Sequence, residues 1–185
     1  VAHIEFAPSL PGILGPLAFR PETAKPLNEL ADVLLRGPSS LTRGERELIA
    51  AAVSEANGCG FCARSHAAFA RRQLDNGDQV VAATLSDFAT APISPKLKAL
   101  LSIAHHVQAG GNQVTTDDVA KARLHGATDV EIHDTVLIAA AFCMFNRYVD
   151  GLATSAPDEQ GAYDAMADTI VQRGYAATMP IPNEG

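Results

Sequence analysis

Four residues have the types and spacing of a thiol site: Glu47, Cys59, Cys62 and His66. A thiol is nucleophilic only as the thiolate, so its ordinary pKa of about 8.5 has to fall for reaction at neutral pH. Asn57-Gly58, just ahead of the cysteine pair, tolerates a left-handed turn and ends one helix. Cys59 and Cys62 therefore open the next helix, where unpaired N–H groups and the positive dipole end favour negative charge. His66, four residues after Cys62, shares its helix face within direct reach or through one water, and can take the thiol proton. Cys59, one turn back, is placed to attack an oxidised Cys62 and close a disulfide, protecting it from over-oxidation. Glu47 stands twelve residues before Cys59, where an antiparallel return of the chain sets its carboxylate near the imidazole to orient and charge-stabilise it. Glu55, in the last turn before the reversal, is the rival carboxylate.

The elements that must hold these groups are helical. Thr42-Arg43-Gly44-Glu45 has capping-box spacing and predicts a helix over residues 43–56, followed by one from Cys59 to Leu74. Ahead of them, five of the eleven prolines fall in the first 26 residues and predict an extended arm over 1–26, with a first helix from Leu27 to Gly37-Pro38. Further helices are expected near 79–85, from Ser94-Pro95 to Gln108, and from Thr115 or Thr116 to His125. Thr128-Asp129-Val130-Glu131 opens the longest one, to about Ala153, with Ile132, Val136, Ala139, Ala140 and Cys143 toward the core. A last helix over 158–171 precedes a tail, 172–185, expected to fray at Pro180-Ile181-Pro182. No window alternates like a strand, and 33 alanines favour helix. The expectation is a single all-α domain, a bundle of 7–8 helices. Leu48-Ile49-Ala50-Ala51-Ala52 recurs as Leu137-Ile138-Ala139-Ala140-Ala141, a weak sign of two related units.

The string from Glu47-Leu48-Ile49-Ala50 through Ser54-Glu55-Ala56-Asn57-Gly58-Cys59-Gly60-Phe61-Cys62 to His66 resembles the alkylhydroperoxidase D-like branch of the carboxymuconolactone decarboxylase superfamily. Phe145-Asn146-Arg147-Tyr148-Val149-Asp150-Gly151-Leu152 resembles the end of the long helix in peroxidase-related members, so the likeness spans residues 41–153. It implies an all-helical, cofactor-free peroxidase that assembles as a dimer, trimer or hexamer. In it Cys62 attacks the O–O bond, Cys59 resolves the sulfenic acid, His66 and Glu47 relay the proton, and a dithiol protein or small thiol reduces the disulfide. Some characterised members of the branch carry a second histidine between the cysteines, as part of the proton relay, where this chain has Phe61. That exchange points to slower turnover, to apolar peroxides, or to a different physiological substrate.

Composition narrows the classes. A net charge of −7 with scattered basic residues argues against nucleic acid, and no apolar run approaches the ~20 residues of a membrane span. The first residues lack a basic stretch followed by an apolar block, so a soluble cytoplasmic protein is expected. Three cysteines are too few for a disulfide framework. Three other readings stand beside the peroxidase: a lactone decarboxylase of the same superfamily, a non-enzymatic dithiol redox sensor, and a zinc site of Cys59, Cys62 and His66 with Cys143 or His133. Cys143, His105, His106 and His133 read better as core or surface residues. Glu47 has the alternative of a surface ion pair with Arg43 or Arg46, and Arg147 that of an inter-helix or inter-subunit ion pair.

Overall fold

A computed structural model describes residues 1–7 and 9–178, and among these the chain forms nine α-helices and no strand. Polar caps start the helices where the sequence places them. Thr42 and Glu45 exchange backbone bonds of 3.1 and 2.8 Å to open α3 (Arg43–Ala56). Ser94 opens α6 (Pro95–Ala109), Thr115 opens α7 (Thr116–Leu124), and the box of Thr128 with Glu131 opens α8 (Asp129–Gly151). Lys96 Nζ lies 2.7 Å from the buried Glu131 carboxylate, tying the start of α8 to α6.

After α3 the chain reverses through Asn57, Gly58 and Cys59 into α4 (Gly60–Arg71), with Gly58 at φ +73° supplying the left-handed residue. The helix α5 (Gly77–Asp87) follows, and α9 (Gln160–Arg173) returns across α4. Helix α3 is the centre of the bundle, packed on α4, α6 and α8. Its Leu48 and Ile49, with Leu100, Ile103 and Ile138, are fully enclosed. Each such side chain stabilises the fold by roughly 1.5–3 kcal/mol relative to exposure, enough to fix the spacing of the helices that carry the site.

Three expectations need correction. The arm over residues 1–26 is not extended throughout: α1 spans Leu14–Phe19, and α2 spans Pro21–Arg36 with Pro26 inside it. Pro21 occupies the first helical position, where its missing N–H costs nothing. Pro26 does lose a bond, but burial of Ala24, Ala31, Leu34 and Leu35 on the same helix outweighs it. On α8 the inward face is turned from the expected one. Of the five residues expected toward the core, Ala139 is buried and Ile132, Val136 and Cys143 pack half-buried against it, but Ala140 is exposed, and the centre of the face is formed by Glu131, Thr135, Ile138, Phe142, Phe145 and Val149. Three polar or charged residues on that face (Glu131, Thr135 and Asn146) hid it from a hydrophobicity count. The two alanine-rich repeats differ accordingly, since Leu48 is enclosed and Leu137 exposed.

The tail over residues 172–185 is the third. Gln172 and Arg173 still belong to α9, and a short 3-10 turn over Tyr175–Thr178 packs back on α2. The Asp32 carboxylate accepts the backbone N–H of Tyr175 at 3.0 Å and of Ala176 at 3.3 Å, and Arg36 donates to the Ile170 carbonyl at 2.8 Å. Pro180-Ile181-Pro182 lies outside the described residues.

Candidate active site

Glu47 faces inward from α3 with 1% exposure, and the antiparallel return of α4 brings His66 against it, Nδ1 to Oε2 at 2.7 Å. The other carboxylate oxygen accepts the Tyr175 hydroxyl at 2.7 Å. Burial first, and then the adjacent Glu47 charge, hold the Tyr175 phenol well above its ordinary pKa, so it serves as a neutral donor. With Nδ1 engaged by Glu47, Nε2 is the imidazole nitrogen left for proton exchange. Phe142 and Phe69 stand edge-on to the ring at centroid distances of 4.5 and 5.0 Å and fix its plane.

Cys59 is the cap residue of α4 and Cys62 sits one turn in; both are buried and both are free thiols. The hydrogen bond from Cys59 is the largest cause lowering the Cys62 pKa, the Asn146 amide adds to it, and burial and the Asp150 charge oppose. Cys59 is shifted the other way, first by the hydrogen bond it gives Cys62, then by burial and by the Cys62 charge. The pair is thus asymmetric: Cys62 is the more acidic thiol, and Cys59 holds its proton more tightly. Among the described hydrogen bonds none joins Cys62 directly to His66. The two instead line one apolar cavity of about 90 Å³, walled by α1, α2, α4, α8, α9 and Tyr175. Gly12, at φ +55°, passes so close to the Phe61 ring that no side chain fits there, and its N–H bonds the Ser155 carbonyl at 2.7 Å.

The structure brings together all four residues singled out by spacing. It leaves Glu55 exposed, and it does not pair Glu47 with an arginine: Arg46 is itself buried and bonds the Leu34 and Gly37 carbonyls. Among the described residues of the single chain Arg147 forms no ion pair, and it donates to the Cys143 carbonyl within α8. His106 bonds Asp118 at 2.9 Å and His133 bonds Asp134 at 3.0 Å, both far along other elements. Among the described residues no group of three or more His, Cys, Asp or Glu is arranged to hold a metal ion, so the zinc reading does not fit. No helix there is long and apolar enough to cross a membrane.

Three neighbours of the site escaped the sequence. Asn146 donates to Ser54 at 3.0 Å and accepts from Asn57 at 2.8 Å, which holds its amide beside Cys62. Its signal was a polar residue one turn from the phenylalanines of α8. The signal for Ser65 was its spacing, three residues after Cys62 on α4. Tyr175 lies 109 residues after His66, behind a glycine, and carries no local signal.

Residues 21–91 match the model of the carboxymuconolactone decarboxylase family, a span that includes Glu47, both cysteines of the pair and His66. No curated protein matches the chain. Among solved structures, an uncharacterized peroxidase-related protein of Ralstonia eutropha, described as an alkylhydroperoxidase AhpD core, is 29% identical with a TM-score of 0.75. That match covers 85% of this chain and 80% of that one. An uncharacterized peroxidase-related protein of a Silicibacter species is 27% identical with a TM-score of 0.74, over 83% of this chain and 78% of that one. The decarboxylase-family model thus fits the site-bearing helices, and the wider helical frame is similar to those of two peroxidase-related proteins; together these likenesses support a place in the alkylhydroperoxidase D-like branch of the carboxymuconolactone decarboxylase superfamily.

Proposed function

We propose that the protein is a thiol peroxidase that reduces hydrogen peroxide or organic hydroperoxides through a Cys59–Cys62 disulfide cycle. The observation that carries this reading is the asymmetry of the pair: Cys62 is stabilised as thiolate by a hydrogen bond from Cys59, beside a cavity it shares with a Glu47-held imidazole. The names of the two solved neighbours agree with it.

In the first step the Cys62 thiolate attacks the terminal peroxide oxygen. An S–O bond forms as the O–O bond breaks, sulfur loses two electrons, and the departing oxygen takes a proton from His66 to leave as water or alcohol. Glu47 steadies the imidazole through that exchange. Oxidation removes the Cys62 charge and the hydrogen bond that kept Cys59 protonated, so Cys59 becomes more acidic just when it is needed. Asp150, hydrogen-bonded to Cys59 and facing solvent, takes the Cys59 proton. The thiolate attacks the Cys62 sulfur, the S–S bond forms as the S–O bond breaks, and the departing hydroxide takes a proton back from Asp150 or solvent to leave as water. A dithiol protein or small thiol then donates two electrons and two protons. The same reading places the protein in the cytoplasm as a homo-oligomer, supported by exposed Phe19, Val33, Val130 and Met144.

Stopped-flow oxidation of the reduced protein tests it. Cys62→Ser should consume no peroxide, and Cys59→Ser should stop at a sulfenic acid that a dimedone adduct traps at Cys62. Equal rates for the parent and Cys62→Ser would end this assignment.

A further inference from the structure

The cavity beside Cys62 is apolar except at two places that the thiol chemistry leaves unused. Asn28, on α2, and Ser65, on α4, are 5% and 3% exposed and both line it. Asn28 Nδ2 and Ser65 Oγ have no hydrogen-bond partner among the described residues. A buried donor without a partner costs about 1–3 kcal/mol, and a chain that merely needed a wall here does better with an alanine or leucine. Ser65 also stands on α4 three residues after Cys62, a spacing that makes the two side chains neighbours on the helix surface. Two residues with unmatched polar groups, from different helices, therefore line the same cavity as the reacting sulfur.

We propose that this cavity is a binding site for an uncharged organic molecule bearing one hydroperoxy or hydroxyl group, with Asn28 and Ser65 holding that group and the aromatic walls its body. The proposal rests on the peroxidase reading for the identity of the reacting group and deepens it by naming two positioning residues. Asn28 and Ser65 are donors for the oxygen on which charge develops as the O–O bond breaks, before His66 protonates it. The charge class follows from the walls: no Lys, Arg, Asp or Glu lines the cavity. A carboxylate there would be desolvated without a cation, with the Glu47 carboxylate behind His66 adding repulsion. Size follows from volume. A cavity of ~150 Å³ holds benzene, so the 90 Å³ here suits a body of roughly four heavy atoms.

Titration of the reduced, nitrogen-labelled full chain with tert-butanol and with pivalate, followed by NMR, tests the site without turnover. The two probes share an apolar body and differ in charge. The expected result is saturable shifts of the Asn28 side-chain amide and the Ser65 backbone with tert-butanol and none with pivalate. Ser65→Ala and Asn28→Leu should each weaken tert-butanol binding about fivefold, the effect of one hydrogen bond. Neither should lower the melting temperature, since each removes a partnerless polar group; should Asn28→Leu fail to fold, Ser65→Ala carries the test. Equal binding of pivalate, or tert-butanol binding untouched by both substitutions because the two groups serve only an ordered water, overturns the proposal. Alcohol binding through Asn28 and Ser65 in a protein that consumes no peroxide upholds the site and removes the peroxidase reading. Fast peroxide reduction with no such binding removes the site alone.

Discussion

His66 Nδ1 lies 2.7 Å from Glu47 Oε2, and both side chains are closed off from bulk water. A carboxylate in that position fixes which imidazole nitrogen carries the proton and stabilises the imidazolium as it forms. Glu47→Gln preserves the shape and removes the charge. The expected effect is a fall of at least about tenfold in the single-turnover rate of peroxide reduction, the lower range of what a positioned acid–base group contributes. The rate of Cys62 alkylation should change far less, because Cys59 and Asn146 stabilise that thiolate independently. A variant with unimpaired peroxide kinetics would take Glu47 out of the proton path.

Cys62 should alkylate at lower pH than a free thiol, and Cys59 should set how much lower. A hydrogen bond to the thiolate favours the charged form, so it lowers the pKa and keeps sulfur reactive as pH falls. Cys59→Ala removes the largest of these causes and should move the pH profile of iodoacetamide labelling at Cys62 upward. Asn146→Leu should move it in the same direction by a smaller step. Peptide mass spectrometry assigns the labelled sulfur, and superimposable profiles would show that the pairing of the two thiols does not govern reactivity.

Gly12 is the residue on which the N-terminal wall turns. Its φ of +55° disfavours any side chain, and an added Cβ would fall on the Phe61 ring between the two cysteines. Gly12→Ala should cost about 1–3 kcal/mol, readable as a lower urea midpoint. It should also speed labelling of Cys62, because Ile13, Leu14 and Leu17 lose their seat along the cavity. Accelerated labelling without loss of stability would mean that the arm detaches before the core yields.

The parts of this molecule that were legible in the sequence are those set by neighbours along the chain. Thr42, Ser94 and Thr128 mark helix starts because their side chains bond N–H groups three residues on, and Glu47, Cys59, Cys62 and His66 fall together because two helices and one turn fix their spacing. Residues placed by tertiary packing were not legible. Pro21 and Pro26 read as helix breakers, yet a buried face carried α2 through them. The inward face of α8 was misjudged because Glu131, Thr135 and Asn146 are satisfied there by partners from distant segments. Asn28 and Tyr175 meet the site from helices and turns that no spacing rule connects to Cys62.

Tyr175 reaches Glu47 across 128 positions of chain, and Asp32 clasps the backbone that delivers it. During synthesis the acid that steadies His66 therefore gains its second donor only after all nine helices have left the ribosome. A protease nick just past α9 would cut that donor's tether to the bundle while leaving Glu47, His66 and both thiols in place.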